Sequence, residues 1–265
     1  MVNIISFPNL GITLTVSRSL FSVFGIPVYS YGLIIGIGVI LGFIYASNEI
    51  KRQGITQDDF LNMFITALPV AILCARLYYV IFSWDFYKNN PLEILDIRGG
   101  GLAIYGGIIG AFAVVLIYCK VKKLNIGKVL DILAVSLLIG QSVGRWGNFV
   151  NGEAFGSSST LPWAMSIESE GRLIAHMVHP TFLYESVFNA IGIVVLLLYK
   201  RKKVFQGELF CGYMVWYGIG RVLIEGLRAD SLYWGPFRVS QMLSGLLVII
   251  GLILIFKNRK QKICK

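Results

Sequence analysis

The sequence has 265 residues, of which 56% are hydrophobic and only 14% are charged. With a mean hydropathy of +0.72, this composition excludes an ordinary soluble globular protein and indicates a membrane protein. The formal net charge of +10 would suit a nucleic-acid binder, but the basic residues lie in short clusters between apolar runs, so we predict membrane lipids as partners and no nucleic acid.

Seven apolar stretches are long enough to cross a hydrocarbon core, which needs roughly 20 residues per helix. Their continuity differs from the alternating pattern of barrel strands and predicts helices. We therefore predict an all-α integral membrane protein with seven transmembrane helices, preceded by a lead-in of 28 residues outside the membrane. The predicted helices cover about 29–47, 60–82, 102–119, 129–146, 181–199, 209–227 and 238–256.

Lysine and arginine are concentrated on one side of this arrangement. Under the positive-inside rule, that side is the cytoplasm, which places the C-terminus inside and the N-terminus outside. The clusters assigned to the cytoplasm are Lys51 with Arg52, 120–123 with Lys128, 200–203, and Lys257, Arg259, Lys260, Lys262 and Lys265; the other connections hold Lys88, Arg98, Arg172, Arg228 and Arg238.

The longest connection, about 147–180, lies outside in this topology and contains both histidines, His176 and His179. Loops of this length are usually functional or disordered, and the apolar Trp163 and Met165 favour a segment that docks on the membrane surface. We predict a small external cap, inserted between helices four and five of a single transmembrane domain covering residues 1–265.

Polar residues of the predicted helices share one depth, near the outer ends. In the sixth helix, Tyr217, Arg221 and Glu225 recur every four residues and Arg228 follows three later, which places them on one stripe. An ionisable side chain within a span costs about 3 kcal/mol, so the stripe faces the protein interior or water. Arg221 and Glu225 can simply pair with each other. The other residues at this depth are Tyr31, Arg76, Tyr105, Arg145, Tyr184, Glu185 and Gln241.

Three arginines at headgroup depth, Arg76, Arg145 and Arg221, favour a bound lipid phosphate, because a guanidinium can hold two phosphate oxygens. Two alternatives remain open for each arginine alone, snorkelling to the membrane surface and pairing with a carboxylate. A transporter or receptor for an anionic solute would share these arginines, but polar residues at one leaflet and the lack of an internal repeat argue against it. The cysteines show no metal-ligand spacing, so we predict no metal or cofactor.

The segment GRWGNFVNGEAFG at 144–156 resembles the signature of the prolipoprotein diacylglyceryl transferases, which reads Gly-Arg-x-Gly-Asn-Phe-x-Asn-x-Glu with a following glycine. The resemblance covers nearly the whole chain in order. Its other segments are YSYG at 29–32, ARLYYVIF at 75–82, GGGLAIYGGIIGA at 99–111, HPTFLYE at 179–185 and YGIGRVLIEGLR at 217–228.

This resemblance implies a multi-pass catalytic domain in the bacterial cytoplasmic (inner) membrane, with its active site at the level of the outer leaflet. Members of the family transfer the diacylglyceryl group of phosphatidylglycerol to the lipobox cysteine of a prolipoprotein signal peptide. The products are a thioether and glycerol 1-phosphate, and the reaction is the first step of lipoprotein maturation. The implied partners are therefore phosphatidylglycerol and prolipoproteins.

The resemblance also implies roles for individual residues. Arg145 corresponds to the signature arginine associated with phosphatidylglycerol, and Arg221 to the essential arginine of the sixth helix. Both are predicted to be catalytic. With Arg145, the predicted substrate-binding residues are Asn148, Asn151, Glu153, Gly156, Tyr31, Arg76, Tyr217, Glu225, His179 and Glu185, and Tyr184 also falls on a family position.

Tyr105 stands where well-known members carry a histidine before the Gly-Gly of the third helix. The attacking group must be a thiolate, whereas a free thiol has a pKa of about 8.5, so a base or nearby positive charge is needed. We hypothesise that Tyr105 takes or relays the thiol proton while Arg145 and Arg221 hold the phosphate. His179 and Glu153 are alternative bases, and an aromatic anchor at the membrane interface is the alternative role for Tyr105.

Overall fold

The computed structural model describes residues 2–23, 25–97, 100–229 and 231–263. Arg98, Gly99 and Lys265, which were named above, lie outside these residues. The chain forms two compact units, one of residues 1–46 and 130–265 and one of residues 47–129. The single-domain organisation stays a prediction.

A long helix is present at each of the seven predicted positions. The fifth helix has the predicted ends, whereas the first and the last continue further than predicted because polar residues extend them beyond the apolar run. The helices are α1 (Ser30–Arg52), α2 (Gln57–Phe82), α3 (Ile104–Val121), α4 (Ile126–Asn151), α5 (Thr181–Tyr199), α6 (Glu208–Glu225) and α7 (Val239–Ile263).

Within the described residues, 6 of these helices are long and apolar enough to cross a membrane. The remaining one is α6, which has 18 residues and includes Glu208, Arg221 and Glu225. These ionisable side chains lower its apolar character. The chain is therefore a multi-pass helical membrane protein, while the seventh span and the orientation stay predictions.

The C-terminal end of α4 lies beyond the predicted end at about 146. The helix continues to Asn151, so the signature segment is helical up to that residue and the following connection begins at Gly152. Gly152 has φ +66°, a left-handed conformation that commonly ends helices. In this last turn, the side chains of Asn148 and Asn151 donate hydrogen bonds to Glu153.

The prediction of an all-α fold is wrong outside the long helices. The N-terminal segment is not a plain lead-in, since its strands β1 (Val2–Phe7) and β2 (Ile12–Ser17) pair with each other and β1 also pairs with a strand of the connection after α4. The sheet has the order β2-β1-β5-β6 and all its neighbours are antiparallel. The other strands are β3 (Ser19–Val23), β4 (Ile26–Tyr29), β5 (Met165–Ser169), β6 (Arg172–Val178), β7 (Tyr233–Trp234) and β8 (Phe237–Arg238).

The sheet packs against the ends of α4 and α5 through an apolar core. Ile5 and Ile167 are fully or almost fully buried in this core, with Phe149 of α4 and Phe182 of α5. Alternate residues of β1 point into it, the period expected of a strand with one buried face. Burying this face stabilises the position of the segment between α4 and α5.

Glycines permit close helix contacts within each unit. In the first unit, a Cβ at Gly42 would lie 3.0 Å from the carbonyl oxygen of Ser136. In the second unit, a Cβ at Gly110 would lie 2.7 Å from Cβ of Cys74. Small residues therefore allow α1 to approach α4 and α2 to approach α3, as the glycine spacing indicates.

Two buried carboxylates form a polar network where α6 begins. Glu208 is fully buried and accepts hydrogen bonds from Nε of Arg259 at 2.5 Å and from the Tyr199 hydroxyl at 2.6 Å. Asp131 of α4 accepts a hydrogen bond from Nζ of Lys203 at 3.2 Å and one from the backbone N–H of residue 207 at 3.0 Å. We call these residues the basic-end network, since they join the end of α7 and the start of α4 to the basic segment 200–203.

Candidate active site

Glu185, near the N-terminal end of α5, is a buried carboxylate that contacts three arginines. Its Oε2 is paired with Nη2 of Arg145, near the end of α4. Its Oε1 lies 3.0 Å from Nη1 of Arg221 and 3.6 Å from Nη1 of Arg228. Arginines that are far apart in the sequence therefore meet around one side chain.

Glu225, at the end of α6, is the second carboxylate of this group and is 1% exposed. Its Oε2 lies 2.7 Å from Nη2 of Arg221 and 3.9 Å from Nε of Arg228. The predicted pair between Arg221 and Glu225 is thus present, but Arg221 also contacts Glu185. We call Arg145, Glu185, Arg221, Glu225 and Arg228 the arginine cluster.

The helix directions explain why these residues meet. Arg145 lies near the C-terminal end of α4, Glu185 near the N-terminal end of α5, and Glu225 at the C-terminal end of α6. The opposite ends of the same helices meet in the basic-end network. The cluster and the network therefore lie at opposite ends of the first unit.

The signature asparagines connect the cluster to Glu153. Nη1 of Arg145 donates a hydrogen bond to Oδ1 of Asn148 at 3.4 Å. Oε1 of Glu153 accepts hydrogen bonds from Nδ2 of Asn148 at 3.0 Å and from Nδ2 of Asn151 at 3.3 Å. Glu153 itself is exposed, so its carboxylate remains accessible next to the cluster.

Gly156 lies in an extended segment between two other backbone segments. Its N–H donates to the carbonyl oxygen of His179 at 2.9 Å, and the N–H of Ser157 donates to that of Leu227 at 2.7 Å. A Cβ at Gly156 would lie 2.6 Å from Cβ of His179 and 2.9 Å from the oxygen of Leu227. The close approach of three backbone segments accounts for glycine at this position.

The His179 ring is held by aromatic neighbours. Its Nδ1 lies 3.2 Å from the hydroxyl oxygen of Tyr184, and that oxygen accepts a hydrogen bond from Nε1 of Trp163 at 2.8 Å. The sequence predicted a position on the membrane surface for Trp163, but not this contact. No local spacing indicates it, because Trp163 and Tyr184 belong to different segments.

Two predicted tyrosines lie in the same unit as the cluster. The Tyr31 ring packs on the backbone of the signature segment, where a Cβ at Gly147 would lie 2.8 Å from Cδ2 of Tyr31. Tyr31 also interacts electrostatically with Glu153 and Arg145. Tyr217 stacks on Tyr213 at 5.7 Å between ring centroids. Both phenols therefore belong to the surroundings of the proposed site.

Arg76, which was predicted to bind substrate, lies in the second unit and is 7% exposed. Its guanidinium donates hydrogen bonds to four backbone carbonyls of the segment between α2 and α3. The acceptors are the carbonyl oxygens of Glu93, Ile94 at 2.9 Å, Gly100 at 2.9 Å and Gly101 at 3.0 Å. Most of its five N–H groups are thus used to hold a non-helical segment.

We predict that Arg76→Gln destabilises the protein by about 3 kcal/mol, because four backbone carbonyls would lose hydrogen bonds from a charged donor. Thermal unfolding of the purified variant and limited proteolysis of the segment 83–103 measure the effect. Arg52→Gln is the control. The Arg52 side chain is 76% exposed, and its ion pair with Glu49 is long, at 3.8 Å. An unchanged melting temperature with weaker binding of phosphatidylglycerol would instead assign Arg76 the phosphate role predicted from the sequence.

Tyr105 also lies in the second unit, in the first turn of α3, and is 43% exposed. The adjacent Gly106 is buried against α2, where a Cβ would lie 2.5 Å from Cβ of Tyr78. Helix packing therefore explains the first glycine after Tyr105, while the chemical role of Tyr105 stays a prediction. In the described ranges of the chain, no group of three or more His, Cys, Asp or Glu side chains is placed to hold a metal ion.

Fold and site together define a multi-pass membrane protein with a buried arginine cluster beside a polar, accessible carboxylate. The sequence model of the family described as prolipoprotein diacylglyceryl transferase matches residues 18–257. The chain belongs to this family and is a transferase.

Relatives named phosphatidylglycerol–prolipoprotein diacylglyceryl transferase support this assignment. The protein of Finegoldia magna is 48% identical over 245 residues, which cover 92% of this chain and 96% of the relative. The protein of Bacillus cytotoxicus is 46% identical, over 88% of this chain and 89% of the relative. The protein of Clostridioides difficile is 44% identical, over 92% of this chain and 97% of the relative.

The sequence predicted the stripe on α6 but did not assign Arg228 to the site. Arg228 was placed among the basic residues of the external connections, although it follows Glu225 by three residues. This spacing had also placed Arg228 on the stripe, which was the signal that it belongs with Arg221 and Glu225. Its contact with Glu185 depends on how α5 packs against α6, which the sequence does not reveal.

Proposed function

We propose that this chain transfers the diacylglyceryl group of phosphatidylglycerol to the thiol of a lipobox cysteine in prolipoprotein signal peptides. This reaction is the first step of lipoprotein maturation, and its other product is glycerol 1-phosphate. Family membership supports the reaction. The observation that carries the site assignment is the meeting of Arg145, Arg221 and Arg228 around Glu185.

The reaction forms a carbon–sulfur bond and breaks a carbon–oxygen bond. The cysteine thiolate attacks the glycerol carbon that bears the phosphate, and the departing phosphate oxygen keeps the electron pair. Negative charge therefore grows on the leaving phosphate as the bond breaks. Arginines fixed at that phosphate stabilise the transition state more than the ground state.

Arg145 and Arg221 are the proposed phosphate-binding pair. A guanidinium has five N–H groups, so the contacts with Glu185 and Glu225 leave donors on both arginines. The carboxylates fix the guanidinium positions before substrate binds, which reduces the cost of ordering them. Tyr31, Asn148, Asn151, Glu153, Gly156, His179 and Tyr217 complete the proposed substrate surroundings, with Arg76 as a further predicted contact in the second unit.

We further propose that the chain spans the bacterial cytoplasmic membrane seven times, with the cluster at the outer leaflet. Lys203 and Arg259 lie in the network at the opposite end of the first unit, and the positive-inside rule assigns that end to the cytoplasm. The sheet of β1, β2, β5 and β6 would then lie outside as the cap.

The reaction is tested with purified protein, phosphatidylglycerol and a lipobox peptide, followed by mass spectrometry of the peptide. We expect one diacylglyceryl group per peptide, attached as a thioether. A peptide with serine in place of cysteine should remain unmodified. A folded preparation that binds phosphatidylglycerol without modifying the cysteine would identify a lipid-binding protein and contradict the proposal.

Tyr105→Phe tests the proposed proton acceptor. We expect kcat to decrease by roughly tenfold to a hundredfold. This decrease is at or below the low end of what general bases contribute, because a free phenol, with a pKa of about 10, is a poor base. Tyr105→His should retain turnover, since it restores the residue of well-known family members. Tyr118→Phe is the matched control in α3, where the hydroxyl donates to Asp59 at 3.1 Å. Turnover of Tyr105→Phe near the parent value would remove Tyr105 from the chemistry.

A further inference from the structure

The charges of the arginine cluster can be counted as one group, because its ionisable side chains contact one another directly. Its three arginine side chains are 22%, 15% and 11% exposed, and its two carboxylate side chains are 6% and 2% exposed. Three positive and two negative charges give a net charge of +1. The two carboxylates therefore cancel most of the positive charge that a phosphate would encounter.

Neighbouring ionisable groups change this charge little. Glu153 reaches Arg145 only through Asn148 and is exposed, so water screens its carboxylate. Tyr31 and Tyr217 both interact electrostatically with Arg145. Their side chains are phenols, which carry no charge when protonated. The net charge of +1 thus belongs to the buried part of the site.

The substrate and the product of the proposed reaction differ in charge. A phosphodiester such as phosphatidylglycerol carries one negative charge. The released phosphomonoester carries nearly two at neutral pH, because the second pKa of a phosphomonoester is about 6. One negative charge neutralises the cluster, whereas two leave an excess negative charge in a poorly hydrated site, which is unfavourable.

We propose that Glu185 and Glu225 set the cluster charge so that it matches the phosphodiester substrate and disfavours the phosphomonoester product, which promotes product release. This inference rests on the proposed function, since it requires the phosphate to bind at the cluster. Glu185 and Glu225 are positioning residues in this role. They hold the arginines and also limit how strongly these bind a doubly charged anion.

The test compares two soluble ligands, glycerophosphoglycerol as the phosphodiester and glycerol 1-phosphate as the phosphomonoester. Each competes with phosphatidylglycerol at pH 7.5, and the ratio of the two inhibition constants is measured. Glu185→Gln raises the cluster charge to +2 and keeps the side-chain shape. An added positive charge on the site strengthens the binding of a doubly charged ligand more than that of a singly charged one. We therefore expect the ratio of inhibition constants to change at least roughly tenfold in favour of glycerol 1-phosphate.

Glu225→Gln makes the same charge change at a second position and should shift the ratio in the same direction. Glu208→Gln is the matched control, because Glu208 is also a buried carboxylate paired with an arginine but lies about 25 Å along α6 from Glu225. We expect Glu208→Gln to leave the ratio unchanged. Because both constants are measured on the same preparation, a partly unfolded fraction does not alter their ratio.

The outcomes separate this inference from the proposed function. If both ligands compete with the wild type but neither glutamine variant shifts the ratio, the charge-matching role is wrong and the phosphate site stands. If Glu185→Gln weakens both ligands equally, Glu185 only holds the arginines and the inference is likewise overturned. If neither ligand competes with the wild type at any concentration, the phosphate site of the proposed function fails, and the inference fails with it.

Discussion

Replacing either Arg145 or Arg221 by lysine should lower kcat/KM for diacylglyceryl transfer by roughly 10³-fold, the upper range for the loss of a fixed transition-state donor. Lysine keeps the positive charge but presents a single ammonium group, which cannot hold two oxygens in the planar geometry of a guanidinium. In the structure, Nη1 and Nη2 of Arg221 each contact a different carboxylate. One ammonium cannot span both and still face the phosphate.

The rate is measured with phosphatidylglycerol and a lipobox peptide, and the melting temperature is measured on the same preparation. Arg259→Lys is the matched control. Arg259 also pairs with a buried glutamate, Glu208, but belongs to the basic-end network, so this variant should lose some stability and keep its turnover. Lysine variants of Arg145 and Arg221 with wild-type rates would show that geometry at the phosphate does not matter and would contradict the proposed pair.

Helix positions could be predicted because a membrane span demands a long apolar run, and each of the seven runs coincides with a helix. Helix ends were less predictable. Polarity begins at Arg145, which suggested an end at about 146, yet α4 continues to Asn151. In this polar last turn, Asn148 and Asn151 donate hydrogen bonds to Glu153, and these contacts depend on the conformation of the chain after Gly152.

The sheet could not be predicted because its pairing is non-local. The alternating burial of β1 appears only in the structure, because its apolar residues do not alternate along the sequence. Its partner strand β5 pairs Ser169 with Asn3. Nothing in either short segment specifies the other. Pairing between strands that are distant in the sequence depends on the whole first unit being folded, so the sequence supported only a cap without internal structure.

The site was predictable where its residues share one helix. Arg221 and Glu225 lie four residues apart on α6, and they are paired in the structure. The shared role of Glu185 was not predictable, because it requires the start of α5 to pack against the ends of α4 and α6. The chemical roles of Arg76 and Tyr105 stay predictions, and their variants provide the tests.

Gly156→Ala should lower kcat/KM by roughly 10²-fold, although the change adds a single methyl group. The new Cβ would lie 2.6 Å from Cβ of His179, 2.9 Å from the carbonyl oxygen of Leu227 and 3.1 Å from Cγ2 of Thr181. The Cβ of His179 and the carbonyl oxygen of Leu227 are fixed by the main chain and cannot rotate away. The overlap is relieved only if the backbone segments separate, which costs about 1–3 kcal/mol for overpacking.

Separation of these segments would disturb the arginine cluster. Ser157 is hydrogen-bonded to Leu227, and Gly156 pairs with Arg228, so moving the Gly156 segment moves a cluster arginine. On the other side, the chain from His179 leads directly into α5 and Glu185. Displacement of a reacting group by about 1 Å can cost 10²-fold in rate, and we therefore expect the loss in kcat/KM to exceed what the small loss of stability explains.

Activity and melting temperature of Gly156→Ala are compared with those of Gly245→Ala. Gly245 lies in α7, and a Cβ there meets no described atom within 4 Å, so alanine should be tolerated or slightly stabilising because it favours helix more than glycine does. Wild-type turnover in Gly156→Ala would show that the three backbone segments can move apart without displacing Arg228 or Glu185. The arginine cluster would then be held by its own ion pairs alone, and the packing around Gly156 would have no part in catalysis.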